Sequence, residues 1–157
     1  MAYTPPVAGT ENWDVTLNAA LEDIHDTALA ALSGSGANVA TQQDTTSTSY
    51  TDLSTAGPAC SVTLDSARTV LVLLKTQILN TSTADDVYMS FVASGATTVA
   101  AADGSAVRSN GSGTAEQFAS FAVVACNAGT TTFTAKYRVD GGNGRFTNRS
   151  IAAVVIA

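Results

Sequence analysis

The sequence predicts a mainly β fold: a jelly-roll-like antiparallel β-sandwich preceded by an extended arm and one α-helix. Three observations carry this reading. Short Thr-rich and Val-rich segments recur between Gly, Asn and Asp residues, the composition of half-buried strands joined by turns. Residues 131–139 alternate strictly: Phe133, Ala135, Tyr137 and Val139 point one way, and Thr132, Thr134, Lys136 and Arg138 the other. That period of two marks a strand with one buried face. Only residues 15–32 show a helical period, with Leu17, Leu21, Ile24, Ala28 and Ala31 tracing one apolar stripe.

Taken in order, residues 1–13 form an arm in which Pro5-Pro6 enforces extended backbone. Asp14 is placed to cap the helix, its carboxylate accepting orphan amide hydrogen bonds at the positive end of the dipole. Ser33-Gly34-Ser35-Gly36 stops the helix and supplies a flexible joint. The expected organisation is therefore an N-terminal arm and helix, residues 1–36, and a sandwich domain, residues 37–157.

Strands are expected near 46–53, 59–65, 69–79, 86–94, 116–126, 130–139 and 145–157, with a short one near 97–102. Residues 69–79 (TVLVLLKTQIL) are apolar on both faces except at Lys75 and read as the most buried. Residues 104–114 read as a polar Gly/Ser loop that faces outward and offers Arg108 and Asn110 as its polar hooks. Residues 140–144 (DGGNG) tolerate positive φ and are expected to close a β-hairpin. The final run IAAVVIA has no polar break, so both of its faces are expected to be covered, inside the domain or between subunits.

Hydrophobic residues make up 45% of the 157, enough for a core, while charged residues make up only 13%. Low charge with many hydroxyls suits a surface in extensive protein–protein contact. The net charge of −6 is unevenly placed. Residues 1–33 carry Glu11, Asp14, Glu22, Asp23 and Asp26 with no Lys or Arg; the remainder carries eight acids and seven bases. An acidic arm excludes nucleic acid as a partner, since phosphates need a basic footprint. It suits a basic protein surface instead. The apolar runs are too short to span a bilayer, and MAYTPPVAG lacks the features of a signal peptide, so synthesis in a cytoplasm without membrane insertion is expected.

Chemistry-bearing constellations are sparse. His25 is the single histidine, and one His without further ligands builds neither a zinc site nor a catalytic triad. Asp85-Asp86 reads as part of a polar turn, and residues 140–144 lack the later acidic ligands of a calcium loop. The expectation is no catalytic, cofactor or metal residues. Arg138, Arg145 and Arg149 lie near one turn and read first as outward residues paired with neighbouring acids, second as a clamp for a carboxylate or glycan. Cys60 and Cys126 read as buried free thiols in apolar strands, with a bridge between facing strands as the lesser alternative. Trp13 reads equally as a staple at the helix start and as an anchor inserted into a partner.

Two segments resemble known families. The run PPVAGTENWDVTLNAALEDI, through Pro5, Pro6, Gly9, Asn12, Trp13, Leu17 and Asn18, resembles the N-terminal module of tailed-bacteriophage appendage proteins. The closing segment, through Tyr137-Arg138, Gly141-Gly142 and Asn148-Arg149, resembles the end of phage structural sandwiches similar in shape to the tumour-necrosis-factor jelly roll. The resemblance implies a homotrimer on the outer surface of a capsid or tail, a capsid decoration or head-fibre protein. Its partner would be a major capsid protein or other virion protein, engaged through Trp13, Leu17, Leu21 and Ile24. The alternative it implies is a tail-fibre or receptor-binding appendage that recognises a host surface glycan.

Overall fold

The computed structural model describes Ala19, Leu21 and residues 34–81, 85–110 and 113–156. The chain divides into two units, Met1–Leu32 and Ser33–Ala157. No α-helical element stands among the described residues. The expected helix over 15–32 lies outside them except for Ala19 and Leu21, which are helical and exposed.

Among the described residues, nine strands build the second unit: β1 (Gly34–Val39), β2 (Gln43–Thr45), β3 (Ala59–Leu64), β4 (Arg68–Asn80), β5 (Val87–Gly95), β6 (Val107–Ser109), β7 (Glu116–Cys126), β8 (Gly129–Val139) and β9 (Gly144–Val155). They form two antiparallel sheets. Sheet A runs β1-β9-β4-β7, with β2 also on β9; sheet B runs β3-β8-β5-β6. The pairings are nested: β1 with β9, β3 with β8, β4 with β7, β5 with β6. This is one long antiparallel ribbon rolled into a two-layer sandwich, the jelly roll.

The rolled topology corrects the expected closing hairpin. β8 pairs with β3 and β5 in sheet B, whereas β9 pairs with β1, β2 and β4 in sheet A. Residues 140–143 thus carry the chain from one sheet to the other. β8 keeps its alternation throughout and β9 on either side of Asn148, and their inward faces meet across the core, where the Tyr137 and Phe146 rings pack edge to face at 4.8 Å. A ladder pairing would have set these rings on one sheet. Gly144 is required at this corner, because a Cβ there would lie 2.5 Å from Val139 Cγ1 and 2.9 Å from Val87 Cγ1.

The core follows the period of two. From β4 come Val70, Val72, Leu74 and Ile78, from β5 Val87, Met89 and Phe91, from β8 Phe133, Ala135, Tyr137 and Val139, all buried. Phe91 and Phe133 pack edge to face at 5.7 Å.

Other boundaries also move. Gly34–Gly36, expected as a joint, is strand: β1 pairs with the end of β9, with Gly36 opposite Ala152 and Gly34 opposite Val154. The expected strand 46–53 is irregular apart from a bridge between Thr51 and Tyr137, and 97–102 retains only the bridge of Val99 to Ala93. The expected loop 104–114 contains β6.

Candidate functional site

The outer face of sheet A is where the surface departs from the ordinary. On an antiparallel ladder, residues in register stand side by side on one face. One row across the sheet is Gly36, Ala152, Leu73, Phe121; the next is Gly34, Val154, Leu71, Val123. Both rows are free of polar side chains. Leu73 is 41% exposed, Phe121 67% and Val123 59%, and Ile156 beyond the end of β9 is 52% exposed. Single exposed apolar residues need no explanation, but a contiguous set on a flat sheet marks a contact surface. The next row, Asn38, Ser150, Lys75, Ala119, closes the patch with polar groups. There Asn38 Nδ2 donates to Ser150 Oγ at 2.8 Å.

Of the two alternatives for the terminal strand, this geometry leaves coverage between subunits for its outer face. Ile151, Ala153 and Val155 are buried in the sandwich, whereas Ala152 and Val154 are half-buried on the outer face. Among the described residues, only one face of 151–156 is covered.

The outer face of sheet B has the opposite character. Ser61 and Thr63 on β3 stand beside Thr132 and Thr130 on β8, with hydroxyl pairs at 2.8 and 2.9 Å. Towards β6 the face becomes charged. Arg138, Tyr88 and Arg108 lie in register on β8, β5 and β6. The Arg138 guanidinium stacks 3.9 Å from the Tyr88 ring centroid. It pairs with Asp140 and, at 2.6 Å, with Asp103, while Arg108 pairs with Asp86. Tyr50 donates to Asp103 at 2.8 Å, and Tyr88 to Asp140 at 3.1 Å and Asp86 at 3.2 Å. Arg138 holds the Asp103 and Asp140 carboxyls below the usual carboxylate range. Burial, reinforced by the neighbouring carboxylates, pushes the Tyr88 hydroxyl up to about 12. Every charge in this cluster meets its opposite, so it braces five chain segments rather than presenting an open binding group.

The residues singled out in the sequence are therefore scattered. Arg138 is paired with acids, as its first reading has it, and Arg145 lies 3.3 Å from Asp44. Arg108 belongs to β6 and is held by Asp86 rather than extended from a loop; Asn110 is exposed. Arg149 overturns its expectation. It is fully buried, donating to the carbonyls of Thr41 and Gly57 at 3.3 and 3.5 Å and to Gln43 Oε1 at 3.2 Å. The cause is a bulge: opposite β4 the register shifts between Lys75 and Gln77, and Asn148 takes a φ of 52°. The extra residue turns Arg149 inward.

Cys60 and Cys126 are both buried free thiols, and burial pushes Cys60 up to about 11. Among the described residues no three His, Cys, Asp or Glu side chains are grouped to hold a metal ion. Trp13, Leu17, Ile24 and His25 lie outside the described residues, while Leu21 is 54% exposed.

No protein-family model and no curated protein matches the chain. Among solved structures it is similar to the Eiger TNF of S. frugiperda, at 11% identity and a TM-score of 0.48, over 80% of this chain and 93% of that one. PRD1 vertex protein P5 is similar at 12% identity and a TM-score of 0.47, over 79% and 96%. Murine APRIL is similar at 10% identity and a TM-score of 0.46, over 78% and 99%. The jelly roll itself is established by the strand order and pairing of this chain.

Proposed function

We propose that the chain is a non-enzymatic structural protein of a tailed-phage virion, a homotrimeric capsid decoration or head-fibre protein attached to the particle through its N-terminal segment. The observation that carries the self-associating part is the outer face of sheet A, where Leu71, Leu73, Phe121, Val123, Ala152 and Val154 stand together unprotected by charge. Burying such a face contributes roughly 25 cal/mol per Å² of apolar area, the usual driving force for permanent assembly. The phage setting rests on the sequence resemblance around Pro5, Pro6, Asn12 and Trp13. The acidic character of residues 1–33 supports attachment to a basic virion surface, with Trp13, Leu17, Leu21 and Ile24 as anchoring side chains.

The glycan-reading alternative has no comparable support, because Arg108 and Arg138 are already committed to Asp86, Asp103 and Asp140.

Removal of residues 1–33 tests the attachment. The cut spares β1, so the shortened protein should fold and self-associate yet fail to bind particles stripped of the native protein. Trp13→Ala with Leu17→Ala in the full chain should weaken binding in the same assay. Normal decoration by the shortened protein would place the anchor elsewhere and sink this reading.

A further inference from the structure

The two sheets have four outer edges, and three of them are guarded against pairing with another chain. β6 and β2 are three residues long, β1 begins with Gly34 and Gly36, and β3 is six residues with Ser61 and Thr63 on its exposed face. Short edge strands, breaks in regularity and polar decoration are how soluble proteins prevent edge-to-edge association. β7 uses none of them. It is an eleven-residue edge strand, EQFASFAVVAC, with no Pro, Lys or Arg and with Glu116 as its single charge. It pairs with β4 and, among the described residues, with no other strand.

We infer that β7 pairs antiparallel with β7 of a second copy of this chain, about a two-fold axis at Phe121. The self-complementarity of the sequence sets this register. With Phe121 opposite its own copy, Ala119 meets Val123 on the outer face, and Phe118 meets Val124 on the inner one. No like charges face each other, and the two exposed Phe121 rings form a cross-strand aromatic pair. In the same register Glu116 stands opposite Cys126 of the second copy, whose neighbour on β4 is Arg68. Glu116 and Arg68 are exposed and have no ion-pair partner among the described residues. Two strands apart, about 10 Å between Cα atoms, their side chains span the gap from the same face. The dyad makes this pair twice. A groove of about 300 Å³ bordered by Arg68, Thr69, Cys126 and Asn127 leaves room for the incoming carboxylate. Registers shifted by two residues lose both the Phe121 pair and the Glu116–Arg68 pairs.

The contact uses a backbone edge and rests on no part of the trimer reading. Where three-fold association also holds, β7 contacts join trimers to one another, as tiling a particle surface requires.

Cross-linking in the full chain tests the register. A Phe121→Cys variant should oxidise to a covalent dimer, since paired Cα atoms lie about 4.5–5.5 Å apart. Val123→Cys alone should not, because its two copies stand about 13 Å apart along the strand. Mixed Ala119→Cys and Val123→Cys chains should cross-link to each other. Glu116→Arg should reduce the Phe121→Cys cross-link at least several-fold, and adding Arg68→Glu should restore it. No cross-link at position 121 in a chain that retains its β circular dichroism would overturn the proposal. So would equal cross-linking at 121 and 123. Phe121 and Val123 also lie on the apolar face of sheet A, so the mixed Ala119–Val123 cross-link and the Glu116–Arg68 exchange, which follow only from the β7 register, separate this contact from the trimer.

Discussion

Arg149 shows how one residue can escape sequence reasoning and still matter to the fold. Counted backwards from Ile151 it points inward; counted forwards from Phe146 it points outward. Only the bulge at Asn148 reconciles the two, and nothing in FTNRSI signals it beyond an Asn tolerant of positive φ. Once inside, the guanidinium lies 5.4 Å from the Tyr137 ring and, among the described residues, pairs with no carboxylate, and its Nε is unsatisfied. Its stabilising role is thus mainly volume and the tether to Thr41, Gln43 and Gly57. Arg149→Ala should lower the unfolding free energy by about 3–5 kcal/mol, the range for emptying a large core site. Arg149→Met, which refills most of the volume without a buried charge, should cost clearly less. Urea denaturation of the two variants separates these; an equal loss in both would show that charge and hydrogen bonds dominate.

At the scale of elements, β3, β4, β5, β7, β8 and β9 were legible because each is rich in β-branched, aromatic or other apolar residues, in a period of two as in β8 or in an unbroken run as in β4 and the end of β9, and lies between turn signals. What the sequence could not reveal was their partners. DGGNG reverses the chain equally well within a sheet or between sheets, and the choice is made by β4 and β3, far away in sequence, competing for β9 and β8. β1 and β6 were missed for a different reason. Gly34, Gly36 and Ser109 have little strand propensity, and these strands exist because β9 and β5 template them. The Arg138 cluster likewise gathers residues from five segments and has no local signature. Its titration has a defined sign. The Asp103 and Asp140 carboxyls are depressed by Arg138, so their contribution is present above the unfolded carboxylate range of about 4 and fades as pH falls through their folded values. Arg138→Met should therefore lower stability at neutral pH and flatten the wild-type decline between about pH 5 and pH 2. Thermal melts across that interval provide the check; an unchanged acid limb would mean that the cluster does not couple to folding.

For the whole molecule, the two sheets present different exteriors. Sheet B is covered by paired hydroxyls and compensated charges, whereas sheet A carries a contiguous patch of Leu, Val, Ala and Phe at one end of its outer face. A monomer exposing the second face to water would carry a large unfavourable surface with no visible use. Composition anticipated this in outline through low charge density, while the location of the face followed only from the register that sets Leu73 between Ala152 and Phe121. The proposed trimer buries this face between copies of the chain. Light scattering of the full chain and of Leu73→Glu decides whether it does, since Leu73 points away from the core and its replacement should leave the sandwich folded. The prediction is three times the 15.9 kDa chain mass, or a whole-number multiple of that mass where β7 pairs join trimers, for the wild type at micromolar concentration, and a smaller species of unchanged circular dichroism for Leu73→Glu. A soluble, stable wild-type monomer at that concentration, or a Leu73→Glu variant that keeps the wild-type mass, would contradict it.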